Sequence, residues 1–507
     1  MSPTRPPALR LRSIAVIGIG LLTLTATAAA SVKAEVEVLI ASADLGAAEV
    51  SVSVVEAGPG TSVVEIASDQ LMIPASNLKL FTSGAALHTL GPEFRFQTTL
   101  RRDGDRLIVV GSGDPGFGDP ALLAMMRVTN AAGDTLPLDV DSFLELWVGA
   151  VVDAGMRNVS EIVVDDSVFD RDFIHPDWPR DQLNRRYCAE VAGLNFHLNR
   201  LHFFPEPRPG ARPSLAKYTP HTRAVSIDDN QATSRVGAKD SNTAWIARKL
   251  ETNRLTLYGN VKHAYRTPVA VTVHDMPTLF GRLLAERLAA AGVTVNATRL
   301  VGPGEQLGGD ILGTLVYTPI ATAVRRCNRD SQNLYAEALL KRMGGQMTKQ
   351  PGSWLNGASI VRHVVHERLG SPALASRLKV VDGSGLSRNN RVAAVTVTAW
   401  LNSFHNDERL GGIFLDSLAV NGVSGTLKNR FRRVDLGDAM VQAKSGYING
   451  VSCLSGYVTQ GDGRRRCFSI MINDLRAPVP NAKRLQERIV AAIAADMAPQ
   501  PVTLGSD

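Results

Sequence analysis

A serine and a lysine stand three residues apart at the start of a predicted helix. In the stretch PASNLKLF, Ser76 and Lys79 precede an apolar run that ends at Gly91-Pro92. Residues i and i+3 share one face of a helix, so the two side chains are expected to point the same way. A serine hydroxyl becomes a strong nucleophile when a base removes its proton, and a neutral lysine can be that base. The pair indicates nucleophilic catalysis; the alternative is a helix-capping Ser76 beside a solvated Lys79.

Two further segments carry polar residues in a pattern that completes such a site. The letters SQN at 331–333 fall in a predicted break between two helices, and KSG at 444–446 fall in a predicted strand. In this order, S-x-x-K, S-x-N and K-[ST]-G form the signature of serine enzymes that β-lactams acylate, the penicillin-binding proteins and serine β-lactamases. The candidate catalytic residues are Ser76, Lys79, Ser331, Asn333 and Lys444.

The whole chain resembles the class C low-molecular-mass penicillin-binding proteins, the D-alanyl-D-alanine carboxypeptidase/endopeptidase family. The segments that carry the resemblance are GSGDP (111–115), DDSVFD (165–170), AGLNFHLN (192–199), SQNLYAEALL (331–340), DGSGLSRNNRV (382–392), GTLKNR (425–430) and KSGYINGVSCLSGYV (444–458). A long insertion between the first two motifs is the hallmark of this family, and β-lactamases lack it. Two positions depart from the commonest family pattern: Ser445 replaces the usual threonine, and Gln332 replaces a frequent aspartate.

The resemblance implies a two-step acyl-enzyme mechanism that needs no metal or cofactor. Ser76 attacks the penultimate D-Ala carbonyl with Lys79 as the base, and water then hydrolyses the acyl-enzyme. Ser331 is expected to relay a proton to the leaving amine, while Asn333 holds the substrate amide and Lys79. As a base near neutral pH, Lys79 needs a pKa about three below its usual value, which costs roughly 4 kcal/mol. Burial and the positive charge of Lys444 are the expected causes.

The strand that holds the third motif is expected to bind the substrate. Ser445, with the lysine before it, is expected to bind the terminal carboxylate. The backbone N–H groups of the nucleophile and of Tyr447 form the expected oxyanion hole, and Gly446 lets the peptide lie close to the strand. By the same resemblance, Asp166 and Arg388 face the diaminopimelate side chain of the substrate. The alternative is a turn aspartate and a surface arginine.

Periodic patterns predict the elements that position these residues. Alternating residues mark strands at Glu49–Val55 and Ser62–Ile66, and three antiparallel strands are predicted within 442–474. Helical patterns follow residue 318 and return near the C-terminus. Together with the resemblance they indicate an α/β (α+β) transpeptidase/β-lactamase-like domain, with an antiparallel sheet flanked by helices and large β-rich inserted domains. The predicted boundaries are a signal peptide at 1–30, a catalytic domain at 31–96 and 306–507, and one or more mostly-β inserted domains at 97–305.

The N-terminus predicts export. Arg10 and Arg12 precede the apolar run Ile14–Leu24, and small residues with A-x-A patterns follow. This is typical of a cleaved secretory signal, with an uncleaved membrane anchor as the alternative. The mature protein is expected in the periplasm or cell envelope, and peripheral attachment to the membrane stays open. Three of the arginines that contribute to the formal net charge of +7 lie in this leader. The positive charge left on the mature protein is too dilute to predict binding to nucleic acid.

Cysteine spacing adds little chemistry. The four cysteines form no C-x-x-C pattern, so a zinc or redox site is not predicted. Export permits disulfides, and Cys453 and Cys467 are the only pair close in sequence. Four buried thiols are the alternative.

The predicted function is a serine D-Ala-D-Ala carboxypeptidase/DD-endopeptidase of peptidoglycan. Its expected partners are stem peptides ending in D-Ala-D-Ala, with β-lactam antibiotics as covalent inhibitors. One alternative is an esterase or β-lactamase on the same scaffold. The other is a non-catalytic peptidoglycan-binding protein, although every reactive side chain of the three motifs is present.

Overall fold

A six-stranded sheet, here called the main sheet, lies at the centre of the protein. The computed structural model describes residues 31–129 and 134–499, so the predicted signal at 1–30 lies outside the described residues. From edge to edge the strands are Ser62–Ile66, Glu49–Glu56, Arg465–Asn473, Val451–Thr459, Met440–Ile448 and Ala419–Val420, all antiparallel to their neighbours. Val52 lies opposite Ile470, so strands from both ends of the chain share one sheet, as the pattern predicted.

Both faces of the main sheet are covered by helices. Side chains alternate along a strand, so Leu454 packs on one face while Cys453 and Tyr457 pack on the other. The first face lies against the helices Val32–Ala41 and Val479–Met497. The second face joins a larger helical cluster made of Leu78–Leu90, Ile320–Asn328, Asn333–Thr348, Trp354–Leu369, Ala394–His405 and Gly411–Asp416. Short elements beside them are the helix Pro372–Ala375 and the strands Leu378–Lys379 and Arg391–Val392.

The helix that follows Ser76 runs through the centre of this cluster. A single 3₁₀ turn, Ala75–Asn77, leads into the α-helix Leu78–Leu90, and Gly91 ends it with a φ of 84°. Every residue from Leu78 to Leu87 is buried, so this part of the helix is enclosed on all sides. Side chains on this part of the helix are therefore closely packed and held in place by their neighbours.

A second sheet is built mainly from strands of the predicted insertion, and strands from just beyond residue 305 also pair with it. Its strands are Thr298–Leu300, Ile162–Asp165, Arg106–Val110, Arg95–Asp103 and Asp310–Ile311, and Val316–Pro319 also pairs with Arg95–Asp103. The helices Val140–Asp153 and Met276–Ala290 share the aromatic core of this sheet. The first of these helices was missed in the sequence reading, although Asp139 caps it and Phe143 and Trp147 are spaced as on one helix face.

The rest of the insertion consists of short strands between loops. They are Arg127–Thr129, Thr135–Pro137, Asn158–Val159, Arg200–Phe203, Glu206–Arg208, Ala211–Ser214, Tyr218–Thr219, Ser226–Asn230, Trp245–Arg248, Arg254–Tyr258, Val269–Thr272 and Thr294–Val295. This β-rich composition agrees with the sequence pattern. The division of the chain at residues 96 and 306 stays a prediction.

All four cysteines are buried free thiols. Cys453 lies opposite Met471, whereas Cys467 lies opposite Tyr457, so the two thiols are displaced along neighbouring strands. The disulfide alternative is therefore wrong, and the buried-thiol alternative is confirmed. Among the described residues, no helix combines the length and apolar character needed to cross a membrane.

Candidate active site

The three motifs meet in a cleft between the main sheet and the insertion. The cleft has a volume of about 830 Å³. Its lining from the catalytic part of the chain includes Ser76, Ser331, Asn333, Arg388, Thr426 and Tyr447. The insertion contributes Asp177, Pro179, Gln182, Arg186, Tyr187 and Arg200. Residues far apart in the sequence therefore surround one space of a size suited to a peptide end.

Ser76 and Lys79 lie within hydrogen-bonding distance, with Lys79 Nζ 3.0 Å from Ser76 Oγ. Lys79 is fully buried, so the alternative of a solvated lysine is wrong. Its Nζ also donates to Asn333 Oδ1 at 2.7 Å and to the Ser384 carbonyl at 2.8 Å. A neutral amine has two N–H groups and one lone pair. The two carbonyl acceptors occupy both N–H groups, which leaves the lone pair facing the Ser76 hydroxyl.

Burial prepares Lys79 for this role. It lowers the pKa of Lys79 from 10.5 to about 8, and the nearby Cys327, Glu337 and Asp382 oppose the change. The sequence argument gave a share of this effect to the charge of Lys444. In the structure burial is the main cause for Lys79, and burial followed by repulsion from Lys79 lowers the pKa of Lys444 well below its usual value.

The second motif connects the first and third motifs. Ser331 lies between two helices with a φ of 55°, a left-handed conformation that is costly for a residue with a side chain. Its Oγ accepts a hydrogen bond of 2.8 Å from Lys444 Nζ, which also donates to the Ser445 carbonyl at 2.7 Å. Asn333 accepts from Lys79 on the other side, so the second motif contacts the third motif through Ser331 and the first motif through Asn333.

The strand of the third motif approaches the nucleophile closely. A Cβ atom at Gly446 would lie 2.9 Å from the Pro74 carbonyl oxygen, so only glycine fits without a shift. Tyr447, the next residue, is 54% exposed and faces the cleft. Ser445 Oγ forms a hydrogen bond of 2.8 Å with Thr426 Oγ1. Thr426 was not singled out from the sequence, although its segment GTLKNR carried the family resemblance.

Two buried carboxylates, those of Glu337 and Asp382, hydrogen-bond the backbone of the loop 383–385 next to Lys79. Glu337 accepts hydrogen bonds from the backbone N–H groups of Gly383 and Ser384, at 2.7 and 2.8 Å, and thereby positions the carbonyl that Lys79 contacts. Burial, then the charge of Asp382, raises the pKa of Glu337 to about 7. Asp382 accepts from the N–H of Gly385. The sequence analysis missed both residues because neither belongs to a catalytic motif.

The two predicted side-chain recognition residues are placed differently. Arg388 lines the cleft and donates to the Asn449 carbonyl at 2.7 Å. Asp166 is only 1% exposed, its carboxylate is paired with Arg171 at 2.7 Å, and it does not line the cleft. The acidic residue on the cleft wall near Arg388 is Asp177, which accepts from Ser387 Oγ at 2.9 Å.

Comparison with known proteins decides the family. The sequence model of the D-Ala-D-Ala carboxypeptidase 3 (S13) family matches residues 32–494. The chain belongs to this family. This S13 enzyme is a serine-type D-Ala-D-Ala carboxypeptidase, so the family and enzyme class predicted from the sequence are confirmed.

Named relatives agree with this assignment. A D-alanyl-D-alanine carboxypeptidase from an Actinomadura species is 29% identical over 467 residues, which cover 87% of this chain and 80% of the relative. The D-alanyl-D-alanine carboxypeptidase DacB of Haemophilus influenzae is 24% identical over 423 residues, covering 79% and 80%. The crystal structure of penicillin binding protein 4 from Haemophilus influenzae matches with a TM-score of 0.71 at 19% identity, over 90% of this chain and 99% of that chain. The S13 enzyme therefore shares its fold, and the predicted fold class is confirmed.

Proposed function

We propose that this S13 enzyme hydrolyses peptidoglycan stem peptides ending in D-Ala-D-Ala, and the cross-links between such peptides, through an acyl-enzyme on Ser76. The observation that carries the proposal is the buried Lys79 amine, 3.0 Å from Ser76 Oγ, with carbonyl acceptors for its two N–H groups. In the free enzyme the lone pair of this amine faces the serine hydroxyl, from which it can accept a proton.

Acylation begins with proton transfer from Ser76 Oγ to Lys79 Nζ. The oxygen attacks the carbonyl carbon of the penultimate D-Ala, and negative charge develops on the carbonyl oxygen. The backbone N–H groups of Ser76 and Tyr447 stabilise this oxyanion, and one such donor is worth roughly 3–4 kcal/mol. The close approach of Gly446 to the turn before Ser76 supports this arrangement.

Collapse of the intermediate breaks the C–N bond. The leaving amine takes its proton from Ser331 Oγ, and Ser331 is reprotonated from Lys444 Nζ, 2.8 Å away. The products of this step are an ester on Ser76 and a released D-Ala or cross-linked amine. Before deacylation, Lys79 loses to solvent the proton that it took from Ser76, and Lys444 regains one from solvent. Water then attacks the ester carbonyl with the neutral Lys79 as base, and Lys79 passes the water proton on to Ser76 Oγ. The ester bond breaks, which releases the peptide carboxylate and restores the Ser76 hydroxyl.

The two ends of the cleft bind different parts of the substrate. The terminal carboxylate binds the hydroxyl groups of Ser445 and Thr426 beside Lys444, and its negative charge favours the protonated form of that lysine. At the other end, Arg388 faces the side chain of the residue before the D-alanines. Asp177 replaces Asp166 as the acidic partner there, since Asp177 lines the cleft.

We further propose export on the predicted leader at 1–30 and action in the periplasm or cell envelope, where peptidoglycan is found. β-Lactams are the expected covalent inhibitors. A second Haemophilus influenzae structure of penicillin binding protein 4, complexed with a β-lactam, supports this expectation.

Intact-protein mass spectrometry with benzylpenicillin tests the proposal. We expect a single stable adduct on the mature protein and none on Ser76→Ala. Rapid loss of penicillin without an adduct would favour the β-lactamase alternative. No adduct together with no turnover would favour the non-catalytic binding protein.

A further inference from the structure

Arg200 is a buried cation that opens onto the active-site cleft. It lies at the start of the strand Arg200–Phe203 in the insertion, and only 4% of its surface is exposed. It is nevertheless part of the cleft wall. Its Nη2 donates a long hydrogen bond of 3.4 Å to Gln332 Oε1, and its buried Nε has no partner. Among the described carboxylates, none forms an ion pair with this guanidinium.

An unpaired buried charge is costly to maintain. Desolvation of an ion takes several kcal/mol unless partners compensate for it, so folded proteins rarely keep one without a function. Burial, then the charge of Arg186, lowers the pKa of Arg200 to about 10, which still leaves it protonated at neutral pH. The carboxylates close by are already used, because Arg326 pairs with both Asp119 and Asp330.

The backbone before Arg200 is strained in a way that fixes its position. His197, Leu198 and Asn199 are three consecutive residues in the left-handed region, with φ of 51°, 60° and 53°. Each such residue costs free energy, and runs of them are unusual. The Asn199 side chain holds the turn by donating to the Glu190 carbonyl and to Asn195 Oδ1. This strained turn therefore places Arg200 in the cleft wall.

The position of Arg200 identifies the part of the substrate that it would meet. Its partner Gln332 stands between Ser331 and Asn333, and Ser331 is the group proposed to protonate the leaving amine. Arg388, on the acyl side of the cleft, donates instead to the carbonyl of Asn449, the residue that follows the strand Met440–Ile448. Arg200 therefore lies on the leaving-group side. The single carboxylate of a leaving D-Ala already has partners there in Ser445, Thr426 and Lys444.

We infer that Arg200 binds a second acidic group on the leaving amine and so selects cross-linked acidic peptides over a single D-Ala as leaving groups. The inference rests on the proposed function of the same cleft. The uncharged side chain of Gln332 contributes to this selectivity. An aspartate or glutamate at that position would pair with the guanidinium and neutralise it, whereas the amide leaves the positive charge available.

The test compares two leaving groups that differ by one charge. Acyl-D-Ala-D-Glu and acyl-D-Ala-D-Gln have nearly the same shape, and the second serves as the neutral control. We expect wild type to release D-Glu with a kcat/KM about tenfold higher than D-Gln, as for a charge-assisted hydrogen bond. Arg200→Gln should remove this preference and Arg200→Lys should retain part of it. A cross-linked muropeptide dimer should show the same ranking of the variants.

Two further variants keep the result interpretable. Gln332→Glu should also reduce the preference for D-Glu, and it tests the inference even if Arg200→Gln folds poorly. Arg186→Gln, at an exposed arginine of the same cleft, should change the preference much less. Equal effects of Arg200→Gln on both substrates would show a merely positioning role and overturn the inference.

The outcomes also separate this inference from the proposed function. Equal cleavage of both substrates by wild type would overturn only the role of Arg200. If neither substrate is cleaved and benzylpenicillin forms no adduct with the protein, the proposed function is overturned, and this inference with it.

Discussion

The two walls of the cleft differ in burial and in the number of polar contacts. On the helical side, Lys79, Glu337 and Asp382 are fully buried, and their side chains take part in several hydrogen bonds each. On the insertion side, Arg186 and Tyr187 are exposed. A buried and well-satisfied network fixes one geometry, whereas exposed side chains can change at small cost. We therefore expect the helical wall to perform the chemistry and the insertion wall to contribute to substrate selection.

The largest effect should come from the helical wall, at Lys79. We expect Lys79→Met to slow acylation by benzylpenicillin at least about 10⁴-fold, because no other base among residues 31–129 and 134–499 contacts Ser76 Oγ. The melting temperature should stay level or rise, since a buried amine is replaced by an apolar side chain of similar length. Acylation rates by mass spectrometry and thermal melts measure both quantities. Lys33→Met, at an exposed lysine, is the control, and more than about 1% residual rate in Lys79→Met would contradict this role.

A backbone contact on the same wall should produce the next largest effect. A Cβ atom at Gly385 would lie 1.8 Å from the Ala75 carbonyl oxygen, and its φ of 81° disfavours any side chain. Gly385→Ala should displace the turn that carries Ser76 and slow acylation about 10²-fold or more. Gly412→Ala is the matched control, because nothing lies within 4 Å of its added Cβ. If both variants acylate at the wild-type rate, the helical wall is less rigid than the contacts indicate.

The pH dependence of acylation sharpens the comparison further. Burial lowers the pKa of Lys79 to about 8, so the neutral base predominates above that pH and is lost as the pH falls. The rate should therefore increase about tenfold per pH unit and level off above about 8.

The same pH profile tests the supporting carboxylate. Glu337 raises the pKa of Lys79, so Glu337→Gln should move the midpoint to lower pH. The plateau should also fall, because an amide oxygen cannot replace both carboxylate oxygens as acceptors. A midpoint that moves upward, or does not move, would argue against electrostatic contact between the two groups.

The smallest effect should come from the insertion wall. Asp177→Asn should lower kcat/KM up to about tenfold for peptides with an amino group on the side chain before the D-alanines. Acetylation of that amine should abolish the difference, and benzylpenicillin acylation should change much less, because the antibiotic lacks this group. Asp166→Asn is the informative control, since Asp166 is paired with Arg171 and should affect stability but not this selectivity. The reverse ranking of the two variants would restore Asp166 as the recognition residue.

Arg200 qualifies the contrast between the walls. It lies in the predicted insertion, yet it is nearly as buried as the groups on the helical side. In the inferred role of Arg200, recognition of the leaving group uses a fixed geometry, as the chemistry does.

Sequence patterns predicted the elements that follow simple periodicity. The strands of the main sheet and the helix after Ser76 appeared close to their expected positions, because alternation and apolar spacing report directly on burial. The helix Val140–Asp153 was not predicted, although its buried residues are spaced as on one helix face. Asp166 was assigned to the substrate by resemblance to a segment, and its actual partner, Arg171, lies five residues further on.

The sequence by itself determined the reactive side chains and the family, because three short motifs in order specify a serine nucleophile and its partners. Only the tertiary structure decided their protonation and their neighbours. Burial, not a neighbouring cation, accounts for the lowered pKa of Lys79, and burial depends on packing between residues far apart in the chain. The tertiary structure also placed Glu337, Asp177 and Arg200 around the site. None of these residues belongs to a catalytic motif. Tertiary contacts bring them to the site, and because local sequence does not encode those contacts, the sequence could not predict their roles.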